Sequence, residues 1–289
     1  MLFTNNTYGR DFAKDPAVVH YKGRYFLYHS SMNGKMLGIG IAVSEDIENW
    51  SVIGEFPRTQ PCEENGVGAP AAIVLNSRVH LFYQTFGNGK KDALCHAVSE
   101  DGIHFKKDAT NPIFSPSADW CCGRAIDADV VVFKDRLFMY FATRDHEFKV
   151  QKLGGAWAPL HSDYSRDCWT QITNGSLLAP ELEWEKTCIE APATIVHGGR
   201  LYMFYAGAYN CAPQQIGCAV SDDGVFFRRI SSEPLVRPGE PGSWNACESG
   251  HPYAFRDDDG SAWLFYQGSP DMGQSWYLSK LSLDPLLPH

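Results

Sequence analysis

The sequence lacks any apolar run that approaches the roughly 18 residues needed to cross a bilayer, so no membrane span is predicted. It also lacks a basic excess. The formal net charge is −9, which argues against nucleic acid and anionic membranes as partners. Residues 1–5 contain neither a basic segment nor an apolar core, so we predict no signal peptide. We therefore expect a cytoplasmic protein, or a secreted one if a leader has been trimmed.

The sequence also lacks helical periodicity and the cysteine spacing of zinc sites. No window of about 12 residues shows a 3.6-residue period, so little helix is expected. The nine cysteines are odd in number, and no pair has zinc-ligand spacing. This favours reduced structural thiols. Aromatic residues make up 13% of the chain, which suits a carbohydrate-binding protein and also a fold that packs on aromatic rings.

One type of stretch occurs five times. Its first copy, residues 15–28, has two apolar runs joined by a Lys-Gly-Arg turn, which predicts a β-hairpin. The copies start 54 to 64 residues apart, and preceding aromatics and later Ser-x-Asp turns keep the same register in most of them. A repeat of this length is typical of β-propellers. We predict an all-β, five-bladed propeller with four antiparallel strands per blade, formed by residues 1–289 as a single domain. The first residues of the copies, here named the lead residues, are Asp15, Ala69, Asp127, Ala191 and His251.

The fifth copy has only three strand-like runs, the last of which ends at Leu283. Leu2 and Phe3 match the apolar pair that ends other units. We therefore predict that an N-terminal strand closes the ring in the last blade, which removes an exposed strand edge. Residues 148–164 are the least regular stretch, and we predict a surface insertion there.

In a propeller, the innermost strand of each blade lines a central channel, so the lead residues should ring one mouth. This arrangement brings together three carboxyl groups, those of Asp15, Asp127 and Glu190. Like charges raise one another's pKa values, as acid–base catalysis requires. A propeller without a catalytic site would have Val or Ala at these positions, and this chain has Ala at two lead positions, Ala69 and Ala191.

Four short motifs lie at the lead residues of copies one, three, four and five: Lys14-Asp15-Pro16, Ile126-Asp127-Ala128, Glu190-Ala191-Pro192 and Gly250-His251-Pro252. In this order and blade phase, they resemble the motifs of glycoside hydrolase family 43. The resemblance implies that Asp15 is the general base and Glu190 the general acid. It also implies that Asp127 tunes the pKa of the general acid and orients it. The motif of the fourth copy departs from the family pattern, because Ala191 stands where Gly is common.

Glycoside hydrolysis with inversion needs an acid and a base roughly 6.5–9.5 Å apart. Blades one and four face each other across a five-membered ring, so Asp15 and Glu190 could span such a gap. The charge of Asp127, between them, would keep Glu190 protonated near neutral pH. We therefore predict an inverting, exo-acting glycosidase for an α-L-arabinofuranoside or β-xyloside, with an oligosaccharide or glycoside as its partner.

Further substrate contacts are expected around the mouth. Arg124 and Glu248 break an apolar pattern three residues before a lead residue. Trp120 could stack on a sugar, although its periodicity favours blade packing. No cofactor is required, but the resemblance implies that His251 could approach a Ca²⁺ ion in the channel. The complete set of predicted substrate contacts is Arg124, Arg144, Phe86, Tyr209, Glu248, His251 and Trp120.

Three alternatives remain open at this stage. A retaining fructosidase has a similar fold, but its Asn-Asp-Pro and Arg-Asp-Pro motifs are absent here. A phosphorylase of a related propeller family could hold phosphate with Arg124, Arg144 and His251. A non-catalytic propeller could bind glycans without cleaving them.

Overall fold

The computed structural model describes residues 1–287, which form 19 strands in five antiparallel sheets. Blade one contains β1 (Lys14–Tyr21), β2 (Arg24–Asn33), β3 (Met36–Ser44) and β4 (Ser51–Glu55). Blade two contains β5 (Val67–Leu75), β6 (Arg78–Thr85), β7 (Leu94–Ser99) and β8 (Phe105–Lys107). Blade three contains β9 (Ile126–Phe133), β10 (Arg136–Arg144), β11 (Gln151–Pro159) and β12 (Thr170–Gln171). Blade four contains β13 (Ile189–His197), β14 (Arg200–Gly207), β15 (Gln215–Ser221) and β16 (Arg228–Arg229). Blade five contains β17 (Glu248–Arg256), β18 (Ala262–Ser269) and β19 (Tyr277–Ser282).

The sheets form a closed ring. The innermost strands β1, β5, β9, β13 and β17 each contact the innermost strands of the two neighbouring blades. Apolar clusters fill the spaces between adjacent blades; one joins blades two and three, and another joins blades three and four. The predicted five-bladed propeller is confirmed.

Helix is nearly absent, as predicted. Within residues 1–287 the only helical segments are 3₁₀ turns at Pro61–Glu63, Gly89–Lys91, Arg166–Cys168 and Glu183–Glu185. None of the helices in the described part of the chain could span a membrane.

The N-terminal segment completes the last blade. The backbone N–H of Leu278 in β19 donates to the carbonyl of Phe3 at 2.8 Å, and the N–H of Leu2 donates back to Leu278 at 2.8 Å. Blade five thus gains its fourth strand position from the start of the chain, which confirms the predicted closure.

The Ser-x-Asp turns connect the outer strands by a local hydrogen-bond network. Ser99 Oγ donates to Asp101 Oδ1, which accepts the backbone N–H groups of Ile103 and His104 at 2.9 and 2.8 Å. Gly102 has φ +79°, and a Cβ there would stand 2.9 Å from the Phe26 ring of the preceding blade. Glycine is therefore required both for the turn and for close blade packing.

All five lead residues adopt a left-handed backbone conformation, with φ between +40° and +51°. Each lies at a β-bulge, where the register between the two inner strands of the blade shifts. In three blades the lead residue's N–H donates to a side chain from the second strand of the preceding blade. Asp15 donates to Gln267 Oε1, Ala69 to Ser30 Oγ, and Asp127 to Gln84 Oε1, at 3.1, 2.8 and 2.6 Å.

The predicted insertion at residues 148–164 is wrong. Most of it is β11, which pairs with β10 along its whole length, and Tyr164 is buried. The strand escapes recognition because Gly154 and Gly155 replace the usual β-branched residues. A Cβ at Gly154 would stand 2.6 Å from the Trp120 ring, so the packing of blade three demands glycine.

Replacing Phe3 with Ala tests the ring closure. Phe3 is only 6% exposed and packs edge-on against His29, so Phe3→Ala should destabilise the protein by about 3 kcal/mol and lower the melting temperature by several degrees. Thermal unfolding measures this. Met1→Ala is the matched control, because Met1 is 67% exposed. Equal melting temperatures for the two variants would show that the closing segment contributes nothing.

Candidate active site

A pocket of about 410 Å³ opens where the innermost strands begin, and it contains all three predicted carboxyl groups. The channel behind the lead residues narrows to a void of about 20 Å³, about the size of one water molecule. The pocket therefore has a closed floor. Its walls are lined by Arg10, Phe12, Lys14, Asp15, Met32, Leu37, Gln84, Phe86, Arg124, Ile126, Asp127, Arg144, Gln151, Glu190, Tyr209, Asn210, His251, Gly273 and Trp276.

Asp15 is held as a buried carboxylate. Its Oδ2 accepts a hydrogen bond from Ser30 Oγ at 2.5 Å, and its Oδ1 lies 2.7 Å from His251 Nδ1. Burial alone would raise the pKa of Asp15. The charges of His251 and Lys14 and the hydrogen bonds from His251 and Ser30 outweigh burial, so the pKa lies below its usual value. Asp15 is therefore ionised at neutral pH.

His251 stands between Asp15 and Glu190. Its Nε2 lies 3.2 Å from Glu190 Oε1, on the far side of the ring from Asp15. Burial lowers the pKa of His251, but the two carboxylates raise it well above its usual value. Asp127, Glu190 and His251 present possible ligand atoms within 4.8 Å of one another, a spacing that one metal ion could bridge. The Ca²⁺ ion expected near His251 stays a prediction.

Glu190 is bonded on three sides. Gln214 Nε2 donates to its Oε1 at 2.7 Å, Gln151 Nε2 donates to its Oε2, and His251 is its third partner. Burial raises the pKa of Glu190. The hydrogen bond and charge of His251 outweigh burial and leave the pKa below its usual value.

Asp127 has the opposite balance. Burial raises its pKa most, and repulsion from Glu190 and Asp15 adds to this; His251 and Arg124 only partly compensate, which leaves a pKa of about 7. We expected Asp127 to be charged and Glu190 protonated. In the free protein the carboxyl proton instead favours Asp127, because His251 is hydrogen-bonded to Glu190 and to Asp15.

The predicted outer contacts divide into two groups. Arg124, Arg144, Phe86 and Tyr209 line the pocket. Glu248 does not line it: it is fully buried, and its Oε1 accepts a hydrogen bond from Gln267 at 2.6 Å.

Trp120 also lies outside the pocket. Its ring packs over Gly154 in blade three, and its Nε1 donates to the carbonyl of Ser117 at 3.1 Å. Trp120 therefore packs within its blade, as the periodicity of the tryptophans favours, and it does not line the pocket.

Gln151 and Gln214 were missed by sequence reasoning. Gln151 is the first residue of β11, and Gln214 immediately precedes β15. Each forms a parallel bridge to the residue that lies three positions before the next lead residue. The sequence contained one indication of their role, because both glutamines lie at the same position of the repeat, in blades three and four. Blade five has the aromatic Trp276 at this phase, so the repeat gave no consistent residue type.

A family model described as glycosyl hydrolases family 43 matches residues 4–284. The chain therefore belongs to glycoside hydrolase family 43. As a member of this family it is a glycosidase, and carbohydrates are its substrates.

Solved structures of family 43 and related enzymes share the fold. A thermostable family-43 glycoside hydrolase superposes with a TM-score of 0.75 at 20% identity, covering 97% of this chain and 92% of the other. An α-L-arabinofuranosidase from Lactobacillus brevis gives 0.70 at 15% identity, covering 93% and 90%. A xylan β-1,4-xylosidase from Bacillus halodurans C-125 gives 0.71 at 15% identity, covering 97% of this chain and 54% of that one. At these identities the likeness shows the propeller fold.

One relative is named for a different activity. A β-1,2-mannobiose phosphorylase of Thermoanaerobacter sp. (strain X514) is 33% identical over 82 residues. The matched stretch spans 23% of this chain and only 27% of the phosphorylase.

The hydroxyl of Ser30 provides a test of the site's electrostatics. Ser30→Ala removes a hydrogen bond that favours ionised Asp15, so the pKa of Asp15 should rise. If Asp15 must be ionised for turnover, the acid limb of the kcat/KM profile moves to higher pH. The buried N–H of Ala69 also loses its acceptor, which should cost about 1–3 kcal/mol of stability.

Ser31→Ala is the matched control, since the Ser31 hydroxyl is equally buried but donates to Glu55 at 3.1 Å. Its acid limb should remain where the unmodified enzyme has it. An acid limb that responds to both substitutions alike would contradict the assigned role of the Ser30 hydrogen bond.

Proposed function

We propose that this family-43 glycosidase is an inverting, exo-acting enzyme that removes a pentosyl unit, as an α-L-arabinofuranosidase or β-xylosidase does. The observation that carries the proposal is the position of Asp15 and Glu190 on opposite sides of the His251 ring. The ion pair between Asp15 and His251, the imidazole ring, and the hydrogen bond between His251 and Glu190 separate the two carboxyl groups. Such a span suits the roughly 6.5–9.5 Å of inverting enzymes better than the roughly 5 Å of retaining ones.

Exo action is supported by the closed floor of the pocket. The lead residues block the channel, so a glycan enters only from the mouth and presents one end to the carboxyl groups. The pentosyl preference is drawn from the activities for which two structural neighbours are named, the arabinofuranosidase and the xylosidase.

In this mechanism Asp15 is the general base and takes a proton from the attacking water. Glu190 is the general acid and protonates the departing oxygen. Near neutral pH the free enzyme keeps the carboxyl proton mainly on Asp127. Asp127, Glu190 and His251 present atoms within 4.8 Å of one another, so the proton can reach Glu190 without a large movement. The pH limbs therefore belong to the coupled set of groups and not to one residue.

The two roles predict different responses to the leaving group. Glu190→Gln should lose about 10²- to 10⁴-fold in kcat on a natural sugar linkage, and far less on a nitrophenyl glycoside that departs without protonation. Asp15→Asn should lose activity on both substrates alike, because attack by water still needs a base. Steady-state kinetics on the two substrates measure this.

Glu45→Gln serves as the control, because Glu45 is exposed on blade one and lies outside the pocket. Identical leaving-group dependence in Glu190→Gln and Asp15→Asn would contradict the assignment of acid and base.

The stereochemical outcome is a separate prediction. NMR of the first-formed sugar should show the anomer opposite to that of the substrate, both with and without added phosphate. Retention would instead favour a fructosidase-like mechanism with a covalent intermediate. A sugar 1-phosphate formed only with phosphate would favour phosphorolysis, to which the match with the mannobiose phosphorylase points.

A further inference from the structure

The pocket is basic although the chain is acidic overall. The formal net charge is −9, yet the pocket lining carries more basic than acidic groups. A neutral pentoside offers no charge that would require this excess. The basic lining residues are Arg10, Lys14, Arg124, Arg144 and His251, and the acidic ones are Asp15, Asp127 and Glu190.

Three of the basic groups already have partners. His251 is paired with two carboxylates. Arg10 donates to the carbonyls of Gly273 and Gln274. The Lys14 ammonium lies 4.3 Å from the Trp276 ring centroid. The two remaining basic groups are Arg124, whose Nε lies 3.6 Å from the buried carboxylate of Asp92, and Arg144, which pairs with no carboxylate among residues 1–287.

Arg144 is fixed in place with its terminal nitrogens free. Its Nε donates to Gln151 Oε1 at 2.7 Å, and its guanidinium lies 4.3 Å from the Phe148 ring centroid and 5.1 Å from that of Tyr209. These contacts hold the planar group rigidly. Neither terminal nitrogen donates a hydrogen bond to any residue between 1 and 287.

The guanidinium group of Arg124 donates no hydrogen bond to any residue in the described range 1–287. Its side chain is only 12% exposed, and its Nε is buried 3.6 Å from Asp92, too far for a hydrogen bond. Its guanidinium also faces the Phe148 ring, at 5.6 Å. Two guanidinium groups therefore converge beside one aromatic ring, each with donors that no residue from 1 to 287 accepts. Buried donors without acceptors are costly, and a planar fork of N–H groups matches a carboxylate or phosphate.

We propose that Arg124 and Arg144 form a subsite for a carboxylate carried by the sugar, so that the enzyme acts on uronic acid-containing glycans. The inference rests on the proposed hydrolase function and changes the preferred sugar from a pentosyl unit to the corresponding uronosyl unit. A β-glucuronoside is a β-xyloside with a carboxylate on C5, so the same catalytic carboxyl groups serve both. The arginines then distinguish the charged sugar from the neutral one.

Inorganic phosphate is a second source of the same oxyanion chemistry. A phosphate that replaced the attacking water would stand beside Asp15, between blades one and five. The two arginines belong to blade three, and Arg144 reaches Glu190 through Gln151 on the opposite side of the site. The subsite therefore lies with the acid and not with the base, which favours a carboxylate on the substrate.

A binding experiment tests the subsite without relying on turnover. Calorimetry or competition binding compares D-glucuronate and D-galacturonate with D-xylose, L-arabinose and inorganic phosphate. At least one uronate should bind at least about tenfold more tightly than the neutral sugars. Arg144→Gln and Arg124→Gln should each abolish most of this preference. Arg144→Lys should recover only part, because lysine keeps the charge but loses the planar fork.

Arg200→Gln is the matched control, since Arg200 lies at the opposite end of blade four and pairs with Asp222 on the surface. Thermal unfolding establishes that each variant is folded. The kcat/KM ratio of an aryl β-glucuronide to an aryl β-xyloside, measured in parallel, should fall in Arg144→Gln and remain unchanged in Arg200→Gln.

The outcomes separate this proposal from the proposed function. Equal affinity for uronates and neutral sugars, or a preference that survives both arginine-to-glutamine changes, would overturn the carboxylate subsite while leaving the hydrolase intact. Arginine-dependent phosphate binding together with phosphate-dependent turnover would also overturn it, in favour of phosphate. Arginine-dependent uronate binding without hydrolysis of any glycoside would support the subsite and refute the catalytic assignment.

Discussion

The left-handed backbone at the five lead residues is the constraint on which both the ring and the site depend. A non-glycine residue in this region costs about 1–3 kcal/mol, and none of the five is glycine. The strain persists because side chains of the preceding blade accept the freed N–H groups, as Gln267, Ser30 and Gln84 do. The same bulge presents Asp15, Asp127 and His251 to the pocket. Blade cohesion and site geometry therefore have one physical origin.

The electrostatics of the site follow from the position of one imidazole. His251 stabilises the ionised forms of both Asp15 and Glu190, while Asp127 is buried beside them without a hydrogen bond from His251. The carboxyl group with the raised pKa is consequently that of Asp127. Substrate entry that disturbs the contact between His251 and Glu190 would raise the proton affinity of Glu190, which is the change that a general acid requires.

Sequence patterns predicted the fold and the convergence of the lead-position side chains in one pocket, because both follow the repeat. Asp15, Asp127 and His251 share a phase, and Glu190 stands one residue before it. The distribution of protons could not be predicted, since it depends on which carboxylates the imidazole contacts.

The strand β11 could not be predicted from the sequence, and the reason is local. Its sequence is shaped by the aromatic rings packed against it and not by strand propensity, so Gly154 and Gly155 obscure the pattern.

The ring closure could be predicted by counting apolar runs. It also determines the order in which the ring assembles. Because Phe3 pairs with Leu278, the segment that contains Phe3 lacks its strand partner until the last blade has been synthesised. A nascent chain of four blades is therefore an open arc with two unpaired ends, and only the final strands convert it into a ring.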